Sequence, residues 1–180
     1  MLPVVGSLRE GSFNRLLARA AATLAPEGVE LLDEPDLRPI PPYDDDQRLR
    51  EGFPAAVAAF REAVRSADAV LFVSPEYNFS VPGFLKNAID WASRGEDQPF
   101  RDKPVGIMGA SRGQVGTARM QYHLRQSMLF LDAHPLNKPE VMLAFAPERF
   151  DEQGNLVDEA AAGFIRQHLE ALREWTLRLR

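Results

Sequence analysis

The sequence predicts an α/β protein built on a doubly wound, five-stranded parallel sheet in strand order 2-1-3-4-5, with helices on both faces. Three observations lead there. Short runs of β-branched and aromatic residues, such as Asp68–Val73 (D-A-V-L-F-V), are apolar almost throughout, as strands covered on both faces are. Amphipathic segments with capping residues follow those runs in turn, so that β and α patterns alternate five times. Polar loops with glycines then fall beyond the carboxyl ends of the strands, where open α/β sheets bind ligands, above all at the switch point between strands one and three.

Leu2–Val5 is the first strand, with Pro3 near its beginning, where a missing donor is tolerated. Ser12 caps a helix whose apolar residues Phe13, Leu16, Leu17, Ala20, Ala21 and Leu24 share a face until Pro26 and Gly28 end it. Val29–Leu32 is the expected second strand, and Asp33–Gly52 a long Pro- and Asp-rich connection of the kind that forms a lid or site wall. Pro54 opens a helix with Val57, Phe60, Val64 and Ala67 inward, and Asp68–Val73 is the third strand. Leu85, Ala88, Ile89 and Ala92 mark a helix starting near Val81, with Ser80 placed to cap it and Pro82 in its first turn. Pro104–Gly109 is the fourth strand, Arg119–Leu131 a helix, and Glu140–Phe145 the fifth strand. Asp158 caps a last helix expected to bury Phe164, Ile165, Leu169, Leu172 and Trp175.

A length of 180 residues fits a single domain, 1–180. Lys and Arg number 21 against 26 Asp and Glu, and this acidic balance argues against nucleic acid as a partner and requires any anion site to be local. With no cysteine, disulfides, thiolate catalysis and iron–sulfur ligation are excluded, so electron transfer would need a bound cofactor. Asp44-Asp45-Asp46 reads as a solvated charge run and no metal site is expected, because three adjacent side chains cannot converge on one ion. No basic, apolar leader and no membrane span is readable, and a cytoplasmic location is expected.

Two stretches dominate. Ser74 to Trp91 joins a strand to a helix through P-E-Y-N-F-S-V-P-G, and Gly6-Ser7-Leu8-Arg9-Glu10-Gly11-Ser12-Phe13-Asn14 joins another, so both lie beside the switch point. A helix start at Ser12 offers unpaired N–H groups and about half a positive charge, to which Ser7, Arg9, Ser12 and Asn14 add donors for a phosphate. In Ser111-Arg112-Gly113-Gln114-Val115-Gly116, small residues let backbone approach a ligand closely.

P-E-Y-N-x-S-x-P-G-x-L-K-N-A-I-D-W resembles the signature of the NADPH-dependent FMN reductase family, flavodoxin-like quinone, azo-dye and chromate reductases. The first loop resembles that family's phosphate loop G-S-x-R-x-x-S-x-N, and Gly109 to Gly116 its third flavin loop. The resemblance implies FMN as cofactor, NADPH (or NADH) as co-substrate, and a ping-pong transfer to a small-molecule acceptor through N5, with no catalytic side chain. It implies FMN contacts from Ser7, Arg9, Ser12, Asn14, Pro75, Glu76, Tyr77, Asn78, Ser111 and Gly113, with Asn78 and Arg112 supporting the chemistry. It also implies a homodimer or homotetramer, with Trp91, Arg119, Tyr122 and Glu140 as candidate interface residues. Phe79 is read either as a wall over the ring or as a contact with a partner subunit. A flavodoxin-type electron carrier without NADPH turnover is the alternative, although the first loop lacks the Thr-rich phosphate loop of such carriers.

Overall fold

The structure, a computed structural model, describes residues 1–180. Its sheet has five strands, β1 (Leu2–Val5), β2 (Val70–Val73), β3 (Pro104–Ala110), β4 (His134–Pro135) and β5 (Val141–Leu143), and all pair in parallel. The helices are α1 (Phe13–Thr23), α2 (Asp45–Glu51), α3 (Ala55–Ser66), α4 (Gly83–Ala92), α5 (Ala118–Phe130) and α6 (Glu159–Arg178).

The period-2 alternation of strand side chains separates two cores. Val70 and Phe72 pack with Val57, Phe60, Trp91 and Leu124 from α3, α4 and α5, while Leu71 and Val73 pack with Leu17, Ile165 and Leu169 from α1 and α6. Helices therefore cover both faces, and the two central strands are buried along their whole length.

The neighbours expected as 1-3-4-5 are found, and the sheet differs from 2-1-3-4-5 in detail at its two edges. Val29–Leu32 forms no strand. It runs beside β1 on two hydrogen bonds, from the Met1 amine to the Glu30 carbonyl (2.7 Å) and from the Leu32 N–H to the Met1 carbonyl (2.9 Å). At the other edge β3 carries two short partners, with Val105 opposite Pro135 of β4 and Met108 opposite Val141 of β5. The fifth strand is thus Val141–Leu143 rather than 140–145.

Three local expectations are also corrected. Ser80 does not cap α4: Pro82 holds the N-cap position without a side-chain bond, because the Ser80 backbone is paired with Tyr77 and its hydroxyl with His123. Phe164 is 54% exposed, since it sits beside the buried stripe of Ala161, Ile165, Leu169 and Leu172. Trp91 is buried in the core, where its indole N–H donates to the Pro41 carbonyl (2.8 Å), so it is no interface residue.

The 33–52 connection is a fixed wall. Asn87 donates to the Pro41 carbonyl (2.8 Å) and accepts from the Tyr43 N–H (2.8 Å), and the Asp44 carboxylate caps α2. The acidic triplet is therefore used as a helix start, with Asp45 also bound to Arg48 at 2.7 Å.

Candidate functional site

Three loops leave the carboxyl ends of β1, β2 and β3. A Cβ at Gly6 would fall on the Ser74 side chain, so the first loop can cross the second only with glycine there. At the start of α1, Ser12 Oγ accepts from the Asn14 N–H (3.2 Å), and the first turn carries no acidic side chain. The N–H groups of Ser7, Leu8, Arg9, Glu10, Gly11 and Phe13 find no acceptor within the protein. Arg9 is exposed and has no carboxylate partner, whereas Arg38 braces the loop from outside by donating to the Leu8 carbonyl (2.9 Å).

The second loop is a tight hairpin. Tyr77 and Ser80 exchange backbone hydrogen bonds (3.1 and 3.0 Å) around Asn78 and Phe79, which both have positive φ (50° and 65°). Asparagine tolerates this region, but a bulky residue costs about 1–2 kcal/mol there. Strain of this kind persists where the surroundings over-determine it, as at ligand sites. Glu76 turns inward: one oxygen accepts from the N–H groups of Arg119 (3.0 Å) and Met120 (3.2 Å), filling donors at the start of α5, and the other lies 3.4 Å from the Arg119 guanidinium. Its carboxylate is a brace, and its backbone N–H has no acceptor within the protein.

The third loop lies against both others. Gly109 has no room for a side chain beside Thr117 and the Ser74 carbonyl. Ser111 is tied to Leu143 (2.9 Å) and Ala146 (2.9 Å), while the N–H groups from Arg112 to Ala118 have no protein acceptor. Gly113 faces open space. The Arg112 guanidinium sits 5.2 Å from the Phe13 ring centroid, beside the start of α1.

Asn14 makes a structural contact within the protein. Buried at 2% exposure, its amide donates to the Ala110 carbonyl (3.0 Å) and accepts from the Ala110 N–H (2.9 Å). It locks the start of α1 to the end of β3, so loops distant in sequence form one surface.

Sequence reasoning gave no role to Thr117 or Asn87. Ser74 and Thr117 set the spacing of the loops, Asn87 fixes the wall, and His123 Nδ1 shares a hydrogen bond with Ser80 Oγ (3.0 Å). The signal available was the run Lys86-Asn87-Ala88, a polar side chain on a helix that is otherwise apolar on its inner face. No group of three His, Asp or Glu side chains gathers closely enough to hold a metal. A surface cavity of about 410 Å³ at the amino ends of the strands, lined by Met1, Glu30, Asp68 and Arg173, includes no residue of the three loops.

An elongated array of unfilled N–H donors, with a helix start at one end and small residues at the other, suits a ligand that is anionic at one end and flat with polar edges at the other. FMN is such a ligand, and the donor set fits it. On fold and site together the protein is a flavodoxin-like flavin-binding protein.

Comparison with known proteins makes that class specific. The sequence model of the family described as NADPH-dependent FMN reductase matches residues 1–148. An NAD(P)H-dependent FMN reductase of Pseudomonas aeruginosa is 53% identical over 180 residues, covering 100% of this chain and 96% of its own length. A quinone reductase of Escherichia coli K12 is 46% identical over 181 residues, with the same coverage. The solved structure of FerB, a flavoenzyme NAD(P)H:(acceptor) oxidoreductase from Paracoccus denitrificans, superposes with a TM-score of 0.89 at 32% identity, over 98% of this chain and 96% of that one. The chain belongs to the NADPH-dependent FMN reductase family. It is an oxidoreductase with FMN as cofactor and NAD(P)H as electron donor. No helix is long and apolar enough to cross a membrane.

Proposed function

We propose that the protein reduces quinones and similar small acceptors by a ping-pong cycle, in which NAD(P)H and the acceptor occupy the same open face in alternation. The observation that carries this reading is the convergence of unfilled backbone donors from three loops on one face, reached from solvent past Tyr77, Asn78 and Phe79. FMN held there would supply the redox chemistry, taking a hydride at N5 and passing the electrons on. The chain's own work is to bind and orient. Ser7, Ser12, Arg9 and the N–H groups of the first loop receive the phosphate, and Arg112 adds a second cation beside Phe13. Pro75, Tyr77 and Asn78, with the Glu76 N–H, border the polar edge of the ring, while Ser111 and Gly113 leave space along it.

The proposal includes a cytoplasmic homodimer or homotetramer. Tyr122, Leu129 and Phe130 stand exposed on α5, with Tyr122 hydrogen-bonded to Glu140, and a second copy would cover them. Light scattering at micromolar concentration tests this, and a monomeric mass rejects it.

The test of function is anaerobic spectroscopy on protein loaded with FMN and desalted. Flavin bands should remain, bleach with NADPH and return with a quinone, and initial rates at varied NADPH should give parallel double-reciprocal lines. Bands that NADPH leaves unbleached would indicate an electron carrier, and intersecting lines would reject ping-pong transfer.

A further inference from the structure

Phe79 is the second residue of a two-residue hairpin loop with both central residues at positive φ, a backbone for which glycine is the undemanding choice after asparagine. A phenylalanine stands there instead. Its ring fills no core, being 65% exposed. One face is covered by the Arg119 guanidinium at 3.7 Å from the centroid, and Arg119 is itself anchored by Glu76. The cation lies against one face of the ring, and the paired hairpin places Phe79 beside Asn78 in the loop that follows β2.

We propose that Phe79 is the stacking platform for a planar aromatic acceptor, which makes it a specificity determinant of the electron-accepting half of the cycle. Aromatic faces bind flat rings by offset stacking and give nothing comparable to a compact inorganic oxidant. The strained hairpin thus presents the ring to solvent, and Arg119 acts as a positioning residue on its covered face. This inference rests on the acceptor-reductase reading above.

The experiment compares steady-state KM for menadione and for ferricyanide, with NADPH as donor, in wild type, Phe79→Gly and Phe79→Trp. Unfolding midpoints of Phe79→Gly and Phe79→Ala and the mass of each variant are measured alongside. The ratio of the menadione KM to the ferricyanide KM should rise about fivefold in Phe79→Gly, a stacking contribution of about 1 kcal/mol converted at about 1.4 kcal/mol per tenfold, and return near wild type in Phe79→Trp. Glycine should be more stable than alanine at this position, the reverse of their usual order, because only glycine adopts the left-handed backbone without a Cβ clash.

An unchanged ratio in Phe79→Gly, with wild type active on both acceptors, overturns the platform alone. A changed ratio that accompanies a fall in oligomeric mass also overturns it and assigns the ring to a contact between copies. An alanine variant as stable as the glycine variant removes the strain argument on which the presentation of the ring depends. Wild type that consumes NADPH with neither acceptor overturns the reductase reading, and this inference with it.

Discussion

Replacing Asn14 by alanine separates a structural brace from a ligand donor. The side chain makes two hydrogen bonds to the backbone of Ala110, 96 residues away, and both partners are buried. Alanine leaves the Ala110 N–H and carbonyl without partners in a site that water reaches poorly. Each orphaned group costs about 1–3 kcal/mol, so about 3 kcal/mol is expected for the pair once partial relaxation is allowed. For a domain of this size that corresponds to a fall in unfolding midpoint of about 6–12 °C. Differential scanning calorimetry on Asn14→Ala and wild type, each stripped of flavin and reloaded, gives the answer. The loss should be present in the stripped protein and similar in the loaded one. A stripped midpoint within about 2 °C of wild type, with the whole deficit appearing only when FMN is bound, would mean that Asn14 serves the phosphate and that the brace is misread.

Arg9→Ala should weaken FMN binding about 10- to 100-fold in a fluorescence titration, as loss of a charge-assisted hydrogen bond does, and unaltered affinity would remove Arg9 from the phosphate site. Gly109→Ala should fail to fold or unfold at much lower temperature, because its Cβ would meet Thr117 Oγ1 and the Ser74 carbonyl, while Gly113→Ala, with open space around it, should keep its midpoint; equal behaviour in thermal melts would contradict the loop spacing. Burial holds His168 below its ordinary pKa against the opposing hydrogen bond to the Pro139 carbonyl, and its Nε2 has no partner. The unfolded imidazole takes up a proton below about pH 6.5 while the folded one stays neutral, so stability should fall as pH drops below that point, by up to about 1.4 kcal/mol per unit. Urea unfolding of His168→Gln between about pH 5 and 7.5 should show a flatter slope, and a slope equal to wild type would exclude His168 as its source.

The strands and helices with strong periodicity were legible in the sequence because burial imposed their pattern. Asp68–Val73 and Pro104–Gly109 read as continuous apolar runs, and the structure places both at the centre of the sheet. The edges read poorly because edge pairing leaves little imprint on composition. Val29–Leu32 has a strand's residues but only one backbone amide of the segment, that of Leu32, reaches Met1. Ser80 has the chemistry of a cap and the right neighbourhood, yet the tertiary offer of His123 and the hairpin pairing took its hydrogen bonds first. The site's loops could be located from motif and topology, but the division of labour within them could not. Asn14 and Glu76 are spent on Ala110 and on the start of α5, contacts 96 and 43 residues away that no local pattern encodes.

The Asn14 clasp on Ala110 also bears on how the polypeptide is made. Enclosing a loop of 96 residues costs on the order of 4 kcal/mol of chain entropy beyond its constant part, which the pairing of β1 with β2 and of β2 with β3 offsets. During synthesis the amino-terminal segment therefore leaves the ribosome long before the residues that complete its phosphate cradle, and a chain halted ahead of Ala110 has the signature loop without the means to keep it in shape. Flavin capture is in this sense a late event, a report that the central strands have already found their neighbours.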